Sequence, residues 1–133
     1  TPFLQQSLDG AVVFIASRNV PAPAPGASAY SVAKAGLTQL ARVASLELGS
    51  YGVRVNERHP DCVYDTGLWS DDVLQGRAEK YGMSVEAYKS RNILKKEVTS
   101  REVAEMVAAV AGPVFLKTTG AQIPIDGGND RVI

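Results

Sequence analysis

Cysteine and histidine are almost missing from this sequence: its 133 residues include Cys62 and His59 and no other of either type. One cysteine excludes an internal disulfide, and one cysteine with one histidine cannot form a metal-ligand cluster at recognisable spacing, so no metal is expected. Charge of one sign is missing too. Fourteen Lys and Arg balance fourteen Asp and Glu with no long block of either, which leaves no electrostatic footprint for nucleic acid or an anionic membrane surface. The apolar runs are too short to cross a bilayer, and the first residues lack the basic-then-apolar form of a signal peptide. A cytoplasmic setting follows as the default, with small molecules or other subunits as partners.

What is present suits one domain with a single core: 45% of the residues are hydrophobic. "AVVFIAS", residues 11–17, is a continuous β-branched run, the pattern of a central strand covered on both faces in a parallel sheet. "PAPAPG" then stiffens the chain and forbids helix until about Ala27, reading as a loop or as a short interdomain linker. From Ser28, a candidate N-cap, a helix is predicted to Leu48, with Gly49 just beyond its end. Val32, Leu37, Leu40, Val43, Ala44 and Leu48 recur at helical spacing and form its apolar face.

A second short strand is predicted over residues 53–56. Residues 60–96 read as a loop with one or two short helices, carrying Trp69 and three tyrosines. Thr99 with Glu102 forms a capping-box pattern for a helix ending near Gly112 and Pro113, and "GAQIPIDGG" closes as a third strand with a glycine turn. Strand, helix, strand, helix, strand is half of a doubly wound α/β sheet.

Within the long helix, "YSVAK" places Tyr30 and Lys34 four residues apart, one turn along the same face. A neighbouring ammonium stabilises phenolate, which suits a tyrosine to exchange protons with an alcohol or carbonyl. Alone the pattern is weak, because a tyrosine meets a lysine at this spacing by chance a few per cent of the time. Ser17 strengthens it. It stands where the first strand ends, on the side of an open α/β sheet where ligands bind, although a serine that merely ends a strand would look the same.

"IAS", a loop, "YSVAK", then "VRVN", then "IPIDGG" resemble, in order and spacing, the second half of a short-chain dehydrogenase/reductase, over nearly the whole chain. The resemblance implies a partial Rossmann-type fold comprising the last three strands and their helices. It also implies NAD or NADP as cofactor, a small-molecule alcohol or aldehyde as substrate, and a homo-oligomer. Ser17 would orient the substrate oxygen, Tyr30 would be the general acid or base, and Lys34 would activate Tyr30 and hold the nicotinamide ribose. Pro60, Asp61 and Thr66 would complete the coenzyme contacts, although Asp61 stands where the family has glycine and Thr66 is displaced by one position. The middle segment, "VNERHPDCVYDTGLWS" with "RAEKYGMSVEAYKSRNILKKEVTSREVAE", is similar to the dehydrogenase part of bifunctional rhamnulose-1-phosphate aldolase/alcohol dehydrogenases.

The glycine-rich turn that approaches a pyrophosphate at a helix N-terminus is missing, and so is the family's asparagine-rich motif. "DGGND" follows the last strand and opens no helix. The expectation is a C-terminal catalytic half of a larger dehydrogenase, inactive by itself. The rivals are a truncated inactive domain that serves oligomerisation and an α/β binding module in which Tyr30 and Lys34 do no chemistry. Trp69, Tyr81 and Tyr88 would line a substrate lid or pack as that segment's own small core. Cys62 is expected to be unreactive, and His59 to be a solvated or capping residue on a turn.

Overall fold

The computed structural model describes residues 2–129, which form an α/β unit around a three-stranded parallel sheet. A short helix, α1 (Pro2–Gln5), precedes β1 (Ala11–Ile15), and α2 (Ser28–Leu48) crosses over to β2 (Arg54–Pro60). Helices α3 (Asp71–Lys80), α4 (Val85–Lys89) and α5 (Ser100–Ala111) fill the second crossover, to β3 (Gln122–Ile125). The order is β1-β2-β3, with Val13 opposite Asn56 and His59 opposite Pro124. Among the described residues β1 is therefore an edge rather than a central strand, and no helix is long and apolar enough to cross a membrane.

Alternation along β2 separates two layers. Glu57 reaches Thr38 of α2, whereas Arg54, three residues away and so on the opposite face, reaches the last turn of α5. The polar residues of "VRVN" act as clamps. The Arg54 guanidinium donates to the carbonyls of Val110, Ala111 and Phe115 and pairs with Asp9 at 2.9 Å, which satisfies carbonyls the end of α5 would otherwise leave without partners. Asn56 donates to the Thr118 carbonyl and accepts from the Ala121 amide, fixing the entry to β3.

Several expectations need correction. β2 is longer than residues 53–56 because Glu57, Arg58 and His59, polar in sequence, continue the parallel ladder with β3 and are buried. His59 is accordingly an interior strand residue, 4% exposed, and not a solvated turn residue. Ser28 is the first residue of α2 instead of its cap, Ala27 occupying that position without a side-chain bond. Beyond Leu48 a single tight turn continues over Gly49–Tyr51, and Gly52, at φ 74°, ends the helix. The apolar face assigned to α2 is only partly covered. Leu37, Ala44 and Leu48 of that face are half-buried and Val32, Leu40 and Val43 are exposed, as is Leu46, while the buried positions are Thr38 and Ala41. Periodicity identifies a face without saying what covers it.

The capping box of Thr99 and Glu102 is present, and the middle segment holds two short helices as expected. Tyr64, Leu74, Ala78 and Tyr88 are buried together with Trp69 and Val85 against them, so Tyr64, Trp69 and Tyr88 belong to a small core beneath this segment while Tyr81 stays half exposed. Arg91 lies over Tyr81 and Tyr88, 5.2 and 4.7 Å from their ring centroids.

Candidate active site

The first candidate residue is Ser17, two positions beyond the end of β1 and 7% exposed. The strand's pairing does not stop sharply at Ile15: the Ala16 amide donates to the Arg58 carbonyl, and the Arg18 amide to that of Pro60. Ser17 is thus held beside the carboxyl end of β2. Its hydroxyl accepts from the Asn19 amide at 3.2 Å, and its carbonyl accepts from the Val20 amide at 3.0 Å and faces His59 Nδ1 at 2.9 Å.

Tyr30 and Lys34 come from the first turns of α2, one turn apart as their spacing requires. Lys34 Nζ donates to the Ile15 carbonyl at 2.8 Å, which brings the ammonium to the carboxyl end of β1. It also lies 5.8 Å from the Tyr30 ring centroid. The Tyr30 ring is 48% exposed, so it does not belong to the core. Ser17 and the Lys34 ammonium are therefore gathered at one strand end, with a half-exposed phenol beside the ammonium.

Pro60 ends β2, and its carbonyl holds the loop after β1. Asp61 is engaged by its neighbours. It pairs with Arg18 at 3.4 Å, accepts from Cys62 Sγ at 3.0 Å, and accepts a short hydrogen bond from Asn129 Nδ2. These contacts tie together the segments that follow all three strands. Thr66 is exposed and closes a local turn, its hydroxyl donating to the Val63 carbonyl at 3.4 Å. Burial, followed by the Asp61 carboxylate, pushes the Cys62 thiol up to about 11. Burial likewise raises Tyr64.

Sequence reasoning missed His59 and the polar residues around it, Thr38, Arg42, Glu57 and Gln122. The one signal that could have found them was a run of polar residues continuing directly from a β-branched strand.

The family described as enoyl-(acyl carrier protein) reductase matches residues 1–130. The chain belongs to the short-chain dehydrogenase/reductase family. Among relatives of this family, an uncharacterized oxidoreductase of Bacillus subtilis, YuxG, is 37% identical over 128 residues, which is 92% of this chain and 19% of that protein. An uncharacterized NAD-dependent oxidoreductase of Mycobacterium tuberculosis is 29% identical over 90% of this chain and 43% of its own length. The NADPH-bound structure of a short-chain oxidoreductase from Pseudomonas aeruginosa, with an atypical catalytic centre, superposes with a TM-score of 0.82. That match has 28% identity and covers 99% of this chain and 50% of the other. The chain spans less than half the length of these curated short-chain dehydrogenase/reductase relatives.

Proposed function

We propose that this chain carries the proton-transfer half of a nicotinamide-dependent oxidoreductase that interconverts a small alcohol and its carbonyl compound. The observation that carries the reading is the hydrogen bond from Lys34 Nζ to the Ile15 carbonyl. It brings the helix bearing Tyr30 to the strand end where Ser17 sits. The Ser17 hydroxyl would donate to the substrate oxygen and orient it. Tyr30 would give that oxygen a proton in reduction and take it back in oxidation, and Lys34 would place positive charge beside the phenol. A bound coenzyme would supply the hydride.

Tyr30 and Lys34 are open enough to meet such a coenzyme, since one is half exposed and the other donates to a backbone carbonyl beside the Tyr30 ring. The Asp61 carboxylate fits less readily, because Arg18, Cys62 and Asn129 already engage it. A coenzyme would more naturally meet the backbone around Pro60 and Asp61. Thr66, bonded within its own turn, would have to leave that bond to contribute. The NAD dependence of one relative and the NADPH bound to another support the nicotinamide class without choosing between the two.

The finer substrate reading, lactaldehyde or a sugar-derived relative in a protein akin to the bifunctional aldolase/dehydrogenases, rests on the sequence of the middle segment. A homo-oligomer is part of the same reading and draws support from the apolar side chains exposed on α2.

The test uses the longest gene product that contains this chain. Tyr30→Phe is expected to reduce turnover of small carbonyl compounds by roughly 10² or more, and Lys34→Ala to weaken both turnover and coenzyme binding. Near-normal rates for Tyr30→Phe would remove the tyrosine from the mechanism. The 133-residue chain by itself is expected to show no turnover.

A further inference from the structure

Behind Ser17 lies a polar chain, running from the buried His59 out to the exposed Gln122 and Arg42, that the proton-transfer reading does not use. His59 Nδ1 is 2.9 Å from the Ser17 carbonyl, and His59 Nε2 is 3.2 Å from the side-chain amide of Gln122. On its other side that amide meets Arg42, whose Nη2 and Nε both lie 2.9 Å from the Gln122 oxygen once the amide is turned to face them. Glu57 Oε2 is 3.6 Å from Nε2, too long for a good hydrogen bond, and has no other partner among the described residues. The other Glu57 oxygen accepts from Thr38 at 2.7 Å.

Elementary donor and acceptor chemistry gives this chain one direction. A guanidinium can only donate, so the Gln122 oxygen must face Arg42. Its NH2 group then faces His59 Nε2, which must accept. A neutral imidazole that accepts at Nε2 carries its hydrogen on Nδ1, and a backbone carbonyl at 2.9 Å is there to receive it. Every link is satisfied in this order. Reversing it would set the Gln122 NH2 against the guanidinium and lose both bonds from Arg42.

We propose that His59 is a positioning residue for Ser17: the one-way chain Arg42, Gln122, His59 holds the imidazole as its Nδ1–H tautomer, and that hydrogen fixes the Ser17 peptide from inside. The significance of Ser17 rests on the function proposed above. The chain links α2 and β3 to Ser17 in the loop after β1, so it sets the distance between the helix carrying Tyr30 and the peptide carrying Ser17. A displacement of the order of an ångström at a reacting group can cost about 10² in rate, which is why a buried tether on the serine's own carbonyl has a functional consequence.

These 133 residues include a single histidine, so nitrogen NMR of the histidine-labelled 133-residue chain reads the tautomer without assignment ambiguity. In mildly alkaline buffer the expected result is a pyrrole-type Nδ1 and a pyridine-type Nε2. An Nε2–H tautomer, or an imidazolium under those conditions, would overturn the proposal. Gln122→Glu offers Nε2 only acceptors, so Nε2 should gain a proton and lose its pyridine-type signal, and an unchanged spectrum would count against the relay. The Ser17 carbonyl carbon shift should move in His59→Ala and return towards its original value in His59→Asn, whose amide can donate from the δ position. Equal displacement in both would sink the positioning role. Should His59→Ala not fold, the unmodified chain and Gln122→Glu still decide. None of these readouts needs turnover, so a fully active Tyr30→Phe gene product would end the enzymatic reading of Ser17 while leaving the relay to be judged by the spectra.

Discussion

Arg54 illustrates how a single residue supports this fold without touching the site. The residue is 6% exposed, and its guanidinium serves three carbonyls and one carboxylate drawn from both ends of the sequence. Arg54→Met keeps much of the apolar stem but strands those acceptors, and hydrogen bonds to charged groups contribute about 1.5–3 kcal/mol each. The expected loss is about 3 kcal/mol of unfolding free energy, measured by urea titration; a change within experimental error would show that the clamp is redundant. Cys62 gives a pH-dependent counterpart. Burial raises its thiol from 9.0 to about 11, so the neutral form is favoured by folding. That contribution is fully present below about 9 and is lost as pH rises through about 11. Alkylation of the native chain should be slow at neutral pH and accelerate only on approach to that range, whereas rapid labelling at neutral pH would contradict the burial. The sequence suggested an unreactive thiol for want of a neighbouring cation, but Arg91 Nη2 lies 3.8 Å from the sulfur, and it is burial and Asp61 that outweigh that cation. The role of His59 was not legible in the sequence, because a histidine before proline reads as a turn until the pairing with β3 is known.

Among the elements, the terminal glycine turn and the middle segment depend on one another. Gly127 has φ 63°, and a Cβ there would lie 2.5 Å from the Asn92 side chain. Asn92 in turn binds the amide and carbonyl of Lys96, and the Leu94 amide donates to the Gly127 carbonyl. Gly127→Ala therefore meets both a left-handed backbone and a clash, and should cost more than about 1 kcal/mol. A lowered denaturation midpoint at constant slope would register this, and an unchanged midpoint would mean the turn relaxes freely. The glycine pair in "IPIDGG" was visible in the sequence; what crowds it was not, since Asn92 is thirty-five positions earlier. Element α2 gives the reverse lesson. Its boundaries followed from spacing and flanking glycine, but Thr38 and Ala41 were not the residues that periodicity selected for the interior.

For the whole molecule, two surfaces lack partners among the described residues. β1 pairs only with β2 and leaves its other edge open, and Val32, Leu40, Val43 and Leu46 fall within about a third of the circumference of α2, all exposed. An open strand edge and an apolar helix face both favour association. The purified chain should form a dimer or larger species at micromolar concentration, and Leu40→Glu combined with Leu46→Glu should reduce its mass in light scattering. A monodisperse monomer before substitution would remove the basis for the homo-oligomer.

Local chemistry and periodicity, present in the sequence alone, determined the strand-helix-strand order, the capping box, the shared face of Tyr30 and Lys34, and the family motifs. Each depends on residues within about one or two helical turns or on a β-branched run. Only the tertiary structure decided that β2 continues through Glu57, Arg58 and His59, that α2 turns its small residues inward, and that Tyr64, Trp69 and Tyr88 pack together while Tyr81 stays half exposed. It also decided that Asp61 is held by Arg18 and Asn129. These outcomes depend on which distant segments meet. A polar side chain becomes interior only when a partner across the sheet satisfies its hydrogen bonds, and for His59 those partners come from the loop after β1 and from β3, 42 and 63 positions away.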